Sequence, residues 1–239
     1  MKRKVTAAVP AYIAILLLFI AVAHWGSNVI TALSEQTPLT ERACVVIDAG
    51  HGGEDGGAVS CTGIHESILN LQIALKLNDL LHLLGIDTYM IRTTDRSVYT
   101  EGNSVAARKV SDLKERVRLI NILQPELLVS IHQNYFTDSK YSGPQVFYSN
   151  NGKSNSVAAD MQRKLSSVLM PSNNRKEKIA SGIYLMDHIH CTGLLIECGF
   201  LSNAEEEKRL RDAQYQKMLA ATIAAVVAEH LSLDPQTNE

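Results

Sequence analysis

Short apolar runs alternate with longer amphipathic segments along most of the chain. The run "CVVIDAG" ends in glycine, "ELLVSIH" in histidine, and "GLLIECG" contains a single glutamate. Continuous apolar runs of this length, bounded by turn residues, are typical of strands that are buried on both faces of a sheet. The strands predicted in this way cover residues 44–50, 87–94, 126–132, 144–149, 182–186 and 193–199.

Segments with helical periodicity lie between these strands. In 66–85 the apolar residues recur every three or four positions, and Gly85 ends the pattern. The helices predicted in this way cover 66–85, 110–123, 155–169 and 215–231, with a further helix starting at Asn203. Because strands alternate with crossover helices, we predict an α/β fold: a three-layer α/β/α sandwich around a central, mostly parallel sheet of about six strands.

The first 27 residues follow a different pattern. Three basic residues at 2–4 precede the segment 5–23, which carries no charged residue. This is the form of an export signal, and its length approaches that of a membrane span. We favour an uncleaved N-terminal anchor helix, while "AVA" at 21–23 leaves a cleaved signal peptide open. Either way the rest of the chain is expected to be exported to the extracytoplasmic face of the membrane or to the cell wall.

The remaining chain is expected to form one domain. Residues 28–42 are polar and form a linker, 43–233 form the domain, and 234–239 form a polar tail. A hydrophobic content of 46% with 20% charged residues is typical of a globular protein. The net charge of −2 offers no basic face for nucleic acid, which is therefore not an expected partner.

The four cysteines do not form a C-x-x-C pair, although an exported chain permits disulfides. Cys44 and Cys198 adjoin apolar strands and are expected to be buried as small hydrophobic residues. A disulfide between Cys61 and Cys191 remains open at this stage.

Candidate chemistry lies at the carboxyl ends of the predicted strands. His51 follows the first strand, His132 ends the third, Glu197 lies at the end of the last, and Glu66 opens the helix after the first. Ligands in open α/β sheets bind beyond the carboxyl ends of the strands. We therefore expect these four side chains, which come from separated parts of the chain, to meet at one edge of the sheet.

Two histidines and one glutamate match a catalytic zinc site with three protein ligands. One Zn²⁺ per chain would lower the pKa of a bound water to about 7. A second, unligated carboxylate would then accept the water proton and pass it to a leaving amine, a role that suits Glu197. Asp48 either orients a ligand by hydrogen bonding or simply forms the turn.

The other histidines are weaker candidates for this site. His65 lies beside Glu66 and is a rival ligand, and His188 and His190 precede the last strand. The remaining three are expected to be structural, namely His24, His82 and His230.

Four sequence blocks in order resemble the zinc-dependent N-acetylmuramoyl-L-alanine amidases: "VIDAGHGGEDGGAV", Glu66 opening a helix, "LVSIHQN" and "LLIECGFLSN". The resemblance extends over nearly all of 44–231. It implies hydrolysis of the amide between muramic acid and the first alanine of the peptidoglycan stem, with zinc on His51, Glu66 and His132 and with Glu197 as catalytic acid/base. The first strand departs from the common Asp-Pro-Gly-His pattern by having Ala49, which is not a ligand.

A narrower likeness is carried by "YTEGNSVAARKVSDLKERVRLIN", "SGPQVFYS", "SGIYLM" and the short N-terminus. These segments resemble the sporulation amidases of endospore-forming bacteria, which act on spore cortex so that a deacetylase can complete muramic-δ-lactam. The likeness implies peptidoglycan glycan strands with peptide stems as the substrate, a deacetylase or an activator lipoprotein as a partner, and attachment to the membrane through the N-terminal segment. Asn134, Gln145 and Tyr148 are the predicted substrate-binding residues.

Two other functions fit the same residues. A zinc carboxypeptidase acting on peptide stems uses similar ligands, although such sites hold the first two ligands as H-x-x-E, unlike the wider spacing of His51 and Glu66. A non-catalytic wall-binding module is the other alternative, against which an intact Glu197 argues.

Overall fold

The structure is a computed structural model and describes residues 45–233, all of which belong to one structural unit that begins at Arg42. Its centre is a six-stranded sheet with the spatial order β2-β1-β3-β6-β4-β5. The strands are β1 Val45–Ala49, β2 Thr88–Met90, β3 Leu127–Asn134, β4 Gln145–Tyr148, β5 Lys178–Ile179 and β6 Thr192–Phe200. Neighbouring strands are parallel except for β4 and β6, which are antiparallel, so the prediction of a mostly parallel sheet is confirmed.

Six helices accompany the sheet within the described residues. They are α1 Glu66–Leu83, α2 Val105–Leu123, α3 Ser154–Leu169, α4 Tyr184–His188, α5 Ala204–Arg211 and α6 Ala213–Leu233. Ser104 caps α2 by accepting from the backbone N–H of Ala107, and Asn203 caps α5 by accepting from Glu205 and Glu206. The helices that the sequence predicts are all present, with α2 beginning five residues earlier than the apolar pattern alone indicates.

Alternating residues of each central strand face opposite sides of the sheet, and helices cover both. On one face Ile47, Val129 and Ile196 pack against α1, α3 and α6. On the other face Val46, Leu128 and Leu195 pack against α2 and α4. Because β1, β3 and β6 are buried on both faces, their sequences are continuous apolar runs rather than alternating apolar and polar residues.

One predicted strand is wrong. The segment 182–186 contains the first half of the short helix α4, and the sixth strand is instead the two-residue β5. Leu185 and Met186 are adjacent residues of a helical turn, and both pack against the face of the sheet that carries Val46, Leu128 and Leu195. A five-residue apolar run does not by itself distinguish a strand from a turn of buried helix, which explains the error.

The disulfide that the sequence left open is also ruled out by the sheet. Cys61 lies at the carboxyl end of β6, because its N–H donates to Leu201, whereas Cys191 immediately precedes the amino end of the same strand. Nine residues of strand, roughly 30 Å, separate the two ends. Both cysteines are free, and Cys198 is fully buried as predicted.

The proposed anchor helix, the linker, Cys44 and His24 lie outside the described residues. Within 45–233, none of the helices has the length and apolarity needed to cross a membrane.

We predict that Ile196→Ala lowers the free energy of unfolding by about 2–5 kcal/mol, because the side chain is fully buried in the central strand β6 and its removal leaves a cavity. Urea denaturation of the protein measures this change. Ile122→Ala is the matched control, since Ile122 on α2 is 53% exposed and its truncation should change stability by less than about 0.5 kcal/mol. Equal effects of the two substitutions would contradict the placement of β6 in the core.

Candidate metal centre

The pairing of β1, β3 and β6 sets the geometry of the carboxyl edge of the sheet. Ala49 of β1 lies beside Ile131 of β3, and one position further on the Gly50 N–H donates to the Ile131 carbonyl. On the other side of β3, His132 pairs in register with Glu197 of β6. The neighbouring strands therefore place His132 and Glu197 side by side, on the same face and next to the start of the loop that carries His51.

His51, Glu66 and His132 form a cluster whose potential ligand atoms all lie within 4.8 Å of one another. The Glu66 carboxylate lies between the two rings, with Oε2 3.3 Å from His51 Nε2 and Oε1 2.9 Å from His132 Nδ1. The ligand atoms of a tetrahedral zinc site lie roughly 3.4 Å apart, which follows from bond lengths of about 2.1 Å. The donor types and their spacing therefore fit a small divalent cation.

Gly50 is required by the position of the His132 ring. A Cβ atom on Gly50 would lie 2.2 Å from both Cε1 and Nε2 of His132, far inside van der Waals contact. The imidazole thus lies directly over the backbone of the β1 loop. Gly57 makes room in the same way, since a Cβ there would lie 2.6 Å from Glu66 Oε2 and 2.8 Å from His51 Cδ2.

Hydrogen bonds fix the orientation of the cluster. Asp55 Oδ2 lies 2.9 Å from His51 Nδ1, which leaves Nε2 of that ring facing Glu66. A carboxylate on the far nitrogen of a metal-binding histidine is a common way to fix its tautomer and its ring orientation. Glu66 also accepts from the backbone N–H groups of Ala58 and Gln133, and Asn70 donates to it from the next turn of α1.

These contacts shift the pKa values in the metal-free cluster. Burial opposes charge on His51, but its hydrogen bonds to Asp55 and Glu66 outweigh burial and raise the pKa of His51 to about 9. Burial also opposes ionisation of Glu66, whereas the two histidines hold the pKa of Glu66 far below its ordinary value. The cluster therefore keeps a carboxylate and a protonated His51 at neutral pH, and a metal ion must displace that proton from His51 to bind.

Glu197 has a different environment although it lies next to His132. Its Oε2 is buried and has no hydrogen-bond partner among residues 45–233. Burial raises the pKa of Glu197 to about 7, with Glu66 adding to the rise and the two histidines opposing it. A carboxyl group of this kind is able to exchange a proton near neutral pH.

Asp55 is the site residue that sequence reasoning missed. The "GHGGEDGG" loop contains it, but only the fold brings its carboxylate back onto the ring four residues earlier. Asp48, for which the sequence suggested this role, bonds to Arg116 and to the Ser130 hydroxyl instead. It is fully buried in the sheet and so is not a turn residue, and its side chain bonds to none of the three clustered residues directly.

The rival histidines lie away from the cluster. His65 is exposed at the residue before α1 and is not part of the cluster of potential ligand atoms. His82, which was predicted to be structural, bonds to Thr88. His188 and His190 are exposed near the amino end of β6, opposite to the edge that carries Glu197.

The three predicted substrate-binding residues are placed differently from one another. Asn134 lies two residues beyond His132, where the register between β3 and β6 shifts and Asn134 pairs with Phe200. Gln145 is 2% exposed, and its amide donates to Gln162 and Lys176 rather than into solvent. Tyr148 pairs with Leu194, three positions from the level of Glu197, because β4 is antiparallel to β6. Gln145 nevertheless pairs directly with Glu197 across the β4–β6 ladder, so both Asn134 and Gln145 lie beside the cluster, the first partly exposed and the second buried. A role in substrate binding stays a prediction for all three residues.

Two histidines and a glutamate at the rim of an α/β sheet, beside an unpaired buried carboxyl group, are typical of metal-dependent hydrolases. Comparison with known proteins identifies the class. The family model described as N-acetylmuramoyl-L-alanine amidase matches residues 45–229. The germination-specific N-acetylmuramoyl-L-alanine amidase of Bacillus subtilis (strain 168) is 39% identical over 181 residues, which cover 75% of this chain and 76% of the relative.

Solved structures agree with this match. The CwlD amidase from Clostridioides difficile, solved in complex with the GerS lipoprotein, has a TM-score of 0.76 and 37% sequence identity, over 80% of this chain and 98% of that chain. An N-acetylmuramoyl-L-alanine amidase from Clostridium difficile 630 has a TM-score of 0.68 and 32% identity, over 80% of this chain and 97% of that chain.

The chain therefore belongs to the N-acetylmuramoyl-L-alanine amidase family. It is a hydrolase that cleaves the amide bond between N-acetylmuramic acid and L-alanine in peptidoglycan. The resemblance that the sequence blocks carry is confirmed, and the carboxypeptidase and wall-binding alternatives have no comparable support.

We predict that Gly50→Ala reduces kcat/KM for the amide by about 100-fold, because the new methyl group forces the His132 ring out of the cluster. Release of stem peptides from purified peptidoglycan measures the rate. Gly63→Ala is the control: Gly63 has φ +88°, but a Cβ there meets nothing within 4 Å. That variant should lose about 1–2 kcal/mol of stability and retain its rate. Near-normal turnover by Gly50→Ala would contradict the placement of the His132 ring.

Proposed function

We propose that the chain is a zinc-dependent amidase in which His51, Glu66 and His132 hold one Zn²⁺ and Glu197 is the catalytic acid/base. The observation that carries the proposal is the convergence of three ligand atoms within 4.8 Å, with the unpaired carboxyl of Glu197 on the strand position next to His132. The donor set of two imidazoles and one carboxylate leaves a fourth tetrahedral position for water or substrate, as in other catalytic zinc sites.

Zinc bound there would act as a Lewis acid that polarises the amide carbonyl and makes water acidic enough to attack at neutral pH. The protein contributes the geometry. Asp55 holds His51 through Nδ1 and so directs Nε2 into the cluster, while the backbone N–H groups of Ala58 and Gln133 hold the two oxygens of Glu66. Two of the three proposed ligands, His51 and Glu66, are thereby restrained by hydrogen bonds that do not involve the metal.

Glu197 transfers a proton from the attacking water to the leaving group. In the metal-free protein burial raises the pKa of Glu197 to about 7, and a divalent cation at the adjacent cluster would lower it, which favours the carboxylate. The carboxylate accepts a proton from the attacking water and then donates it to the nitrogen of the departing L-alanine. Glu197 is partly exposed, so its carboxyl group can meet a water at the site, while its Oε2 lies buried without a hydrogen-bond partner among the described residues.

The biological setting that we propose is the spore cortex. Two similarities support it: the germination-specific amidase of Bacillus subtilis at 39% identity and the CwlD amidase at a TM-score of 0.76. The product would be muramic acid freed of its stem peptide, which a deacetylase could convert further towards muramic-δ-lactam. Action on this polymer requires an extracytoplasmic location, in line with an exported chain held at the membrane by residues 1–27.

A lipoprotein partner is part of this proposal. The Clostridioides difficile neighbour was solved with the GerS lipoprotein bound, and this chain shares 37% of its sequence. Among the predicted substrate contacts, Asn134 has the placement that best fits one, since it follows His132 at the open end of β3.

We predict that Glu197→Gln keeps the zinc content of the wild-type protein but loses about 10²–10⁴-fold in the rate of amide cleavage, because an amide cannot exchange the proton. Mass spectrometry of peptidoglycan fragments after digestion gives the rate and the cleaved bond. Elemental analysis of the same sample gives the zinc content.

Two further variants make the result specific. His132→Ala should lose both zinc and activity, while Glu205→Gln, the same chemical change at an exposed glutamate on α5, should alter neither. Near-normal turnover by Glu197→Gln would remove Glu197 from the mechanism. Unchanged zinc in His132→Ala would remove His132 from the metal site.

A further inference from the structure

The backbone of residues 49–51 leaves the sheet in a conformation that needs outside support. β1 ends at Ala49, and the next residues turn away towards the cluster. His51 has φ 61°, and Gly52 and Gly53 also have positive φ. The left-handed region is unfavourable for a non-glycine residue, which persists there only where its surroundings impose it. The carbonyls of Ala49, Gly50 and His51 also need hydrogen-bond donors once the strand pairing has ended.

Arg92 supplies donors to the first two of these carbonyls. Its Nε lies 2.7 Å from the Ala49 oxygen, and its Nη2 lies 3.0 Å from the Gly50 oxygen. The same Nη2 donates to the Ser67 carbonyl at 2.8 Å, and Nη1 donates to Thr94. Arg92 is 1% exposed, and Asp95 Oδ1, its nearest carboxylate oxygen in the described residues, is 4.0 Å away. The side chain is therefore a buried cation that binds mainly backbone carbonyls.

Arg116 reaches the same segment from α2. Its Nη2 donates to the His51 carbonyl at 2.7 Å, and its Nη1 donates to the Ala49 carbonyl at 3.0 Å. It is 2% exposed and forms ion pairs with Asp48 and with Asp112 on its own helix. Two guanidinium groups thus donate to three consecutive carbonyls, one of which belongs to the proposed ligand His51.

The same contacts join all three segments that carry the proposed ligands. Through Ser67, Arg92 is bonded to the residue after Glu66. Through Asp48, Arg116 is connected to the Ser130 hydroxyl, two residues before His132, at an Oγ–Oδ2 distance of 2.7 Å. Among residues 45–233, neither arginine bonds to the imidazoles or to the Glu66 carboxylate, so any effect on the cluster passes through the backbone and through Asp48.

Burial of a cation is energetically unfavourable unless hydrogen bonds or opposite charges compensate for its lost hydration. Burial, followed by repulsion from Arg116, lowers the pKa of Arg92 to about 10, which still leaves it charged at neutral pH. Well-packed apolar residues often replace buried ion pairs without loss of stability, so stability alone does not explain two such arginines. The planar guanidinium fork can bind carbonyls of separate segments in fixed directions, which an ammonium group cannot do.

We propose that Arg92 and Arg116 are positioning residues: together they hold the 49–51 backbone in its strained conformation and fix His51 relative to Glu66 and His132. The predicted effect on zinc affinity rests on the proposed function. The predicted effect on the 49–51 backbone does not, because it concerns the metal-free protein.

The test uses Arg92→Lys and Arg116→Lys, which keep the positive charge but lose the forked donor geometry. Hydrogen exchange of the metal-free soluble protein, followed by mass spectrometry, should show about 10–100-fold faster exchange in peptides covering 49–57, with peptides of α3 and α6 unchanged. Zinc affinity, measured by competition with a chelating dye, should fall by about 10–100-fold, the range typical for groups that orient metal ligands.

Arg118→Lys is the matched control. Arg118 lies on α2 two residues after Arg116 and is more than half exposed, with Glu115 as its partner. It should leave both exchange and zinc affinity unchanged. Should either buried variant fail to fold, Ser130→Ala removes only the hydroxyl that holds Asp48 and should produce a smaller change in the same direction.

The outcomes separate this inference from the proposed function. Arginine variants with wild-type exchange at 49–57 and wild-type zinc affinity overturn the positioning role, even if their melting temperature falls. Faster exchange spread evenly over the whole protein also overturns it, because that result indicates a general structural role. A wild-type protein that binds no zinc would contradict the proposed function, while the local exchange result would still decide the role of the two arginines.

Discussion

The in-register pairing of β1, β3 and β6 is the constraint on which the site depends. Because the three strands are parallel, their carboxyl ends meet at one edge, and their registers place the β1 loop, His132 and Glu197 at the same level. A shift of one residue in β3 would turn His132 to the opposite face of the sheet and replace it with an apolar or amide side chain. The fully buried apolar residues of these strands fix that register, so the core and the chemistry are specified by the same pairing.

Around this edge the protein concentrates features that are individually unfavourable. They include a left-handed His51, a buried carboxyl without a partner at Glu197, and two buried guanidinium groups. Each has a partner or a use in the proposed mechanism. The guanidinium groups satisfy carbonyls that the sheet no longer pairs, and burial of the Glu197 carboxyl group raises its pKa to about 7. Strain and desolvation of this kind are common at functional sites, where the surrounding structure compensates for them.

The sequence was sufficient for the parts of the structure that rest on strong patterns. Continuous apolar runs predicted the central strands, and the positions of His51, His132 and Glu197 at strand ends and of Glu66 at a helix start predicted that these side chains meet at one edge of the sheet. It failed where the pattern is short or the partner is distant. The five-residue run at 182–186 is ambiguous between strand and helix, and nothing in the sequence marks β4 as antiparallel, the direction that places Tyr148 beside Leu194 rather than Glu197. The two buried arginines acquire their roles through contacts with remote segments, and Asp55 acquires its role through a loop conformation that turns its carboxylate back onto His51; no sequence pattern shows either.

The central claim is that two imidazoles and one carboxylate from separate segments hold a single metal ion. X-ray absorption spectroscopy at the zinc edge of the loaded soluble protein tests this most directly. The account predicts one zinc with nitrogen and oxygen neighbours at about 2.0–2.1 Å and the outer-shell scattering of two imidazoles. Sulfur neighbours at about 2.3 Å, or the absence of imidazole scattering, would contradict it.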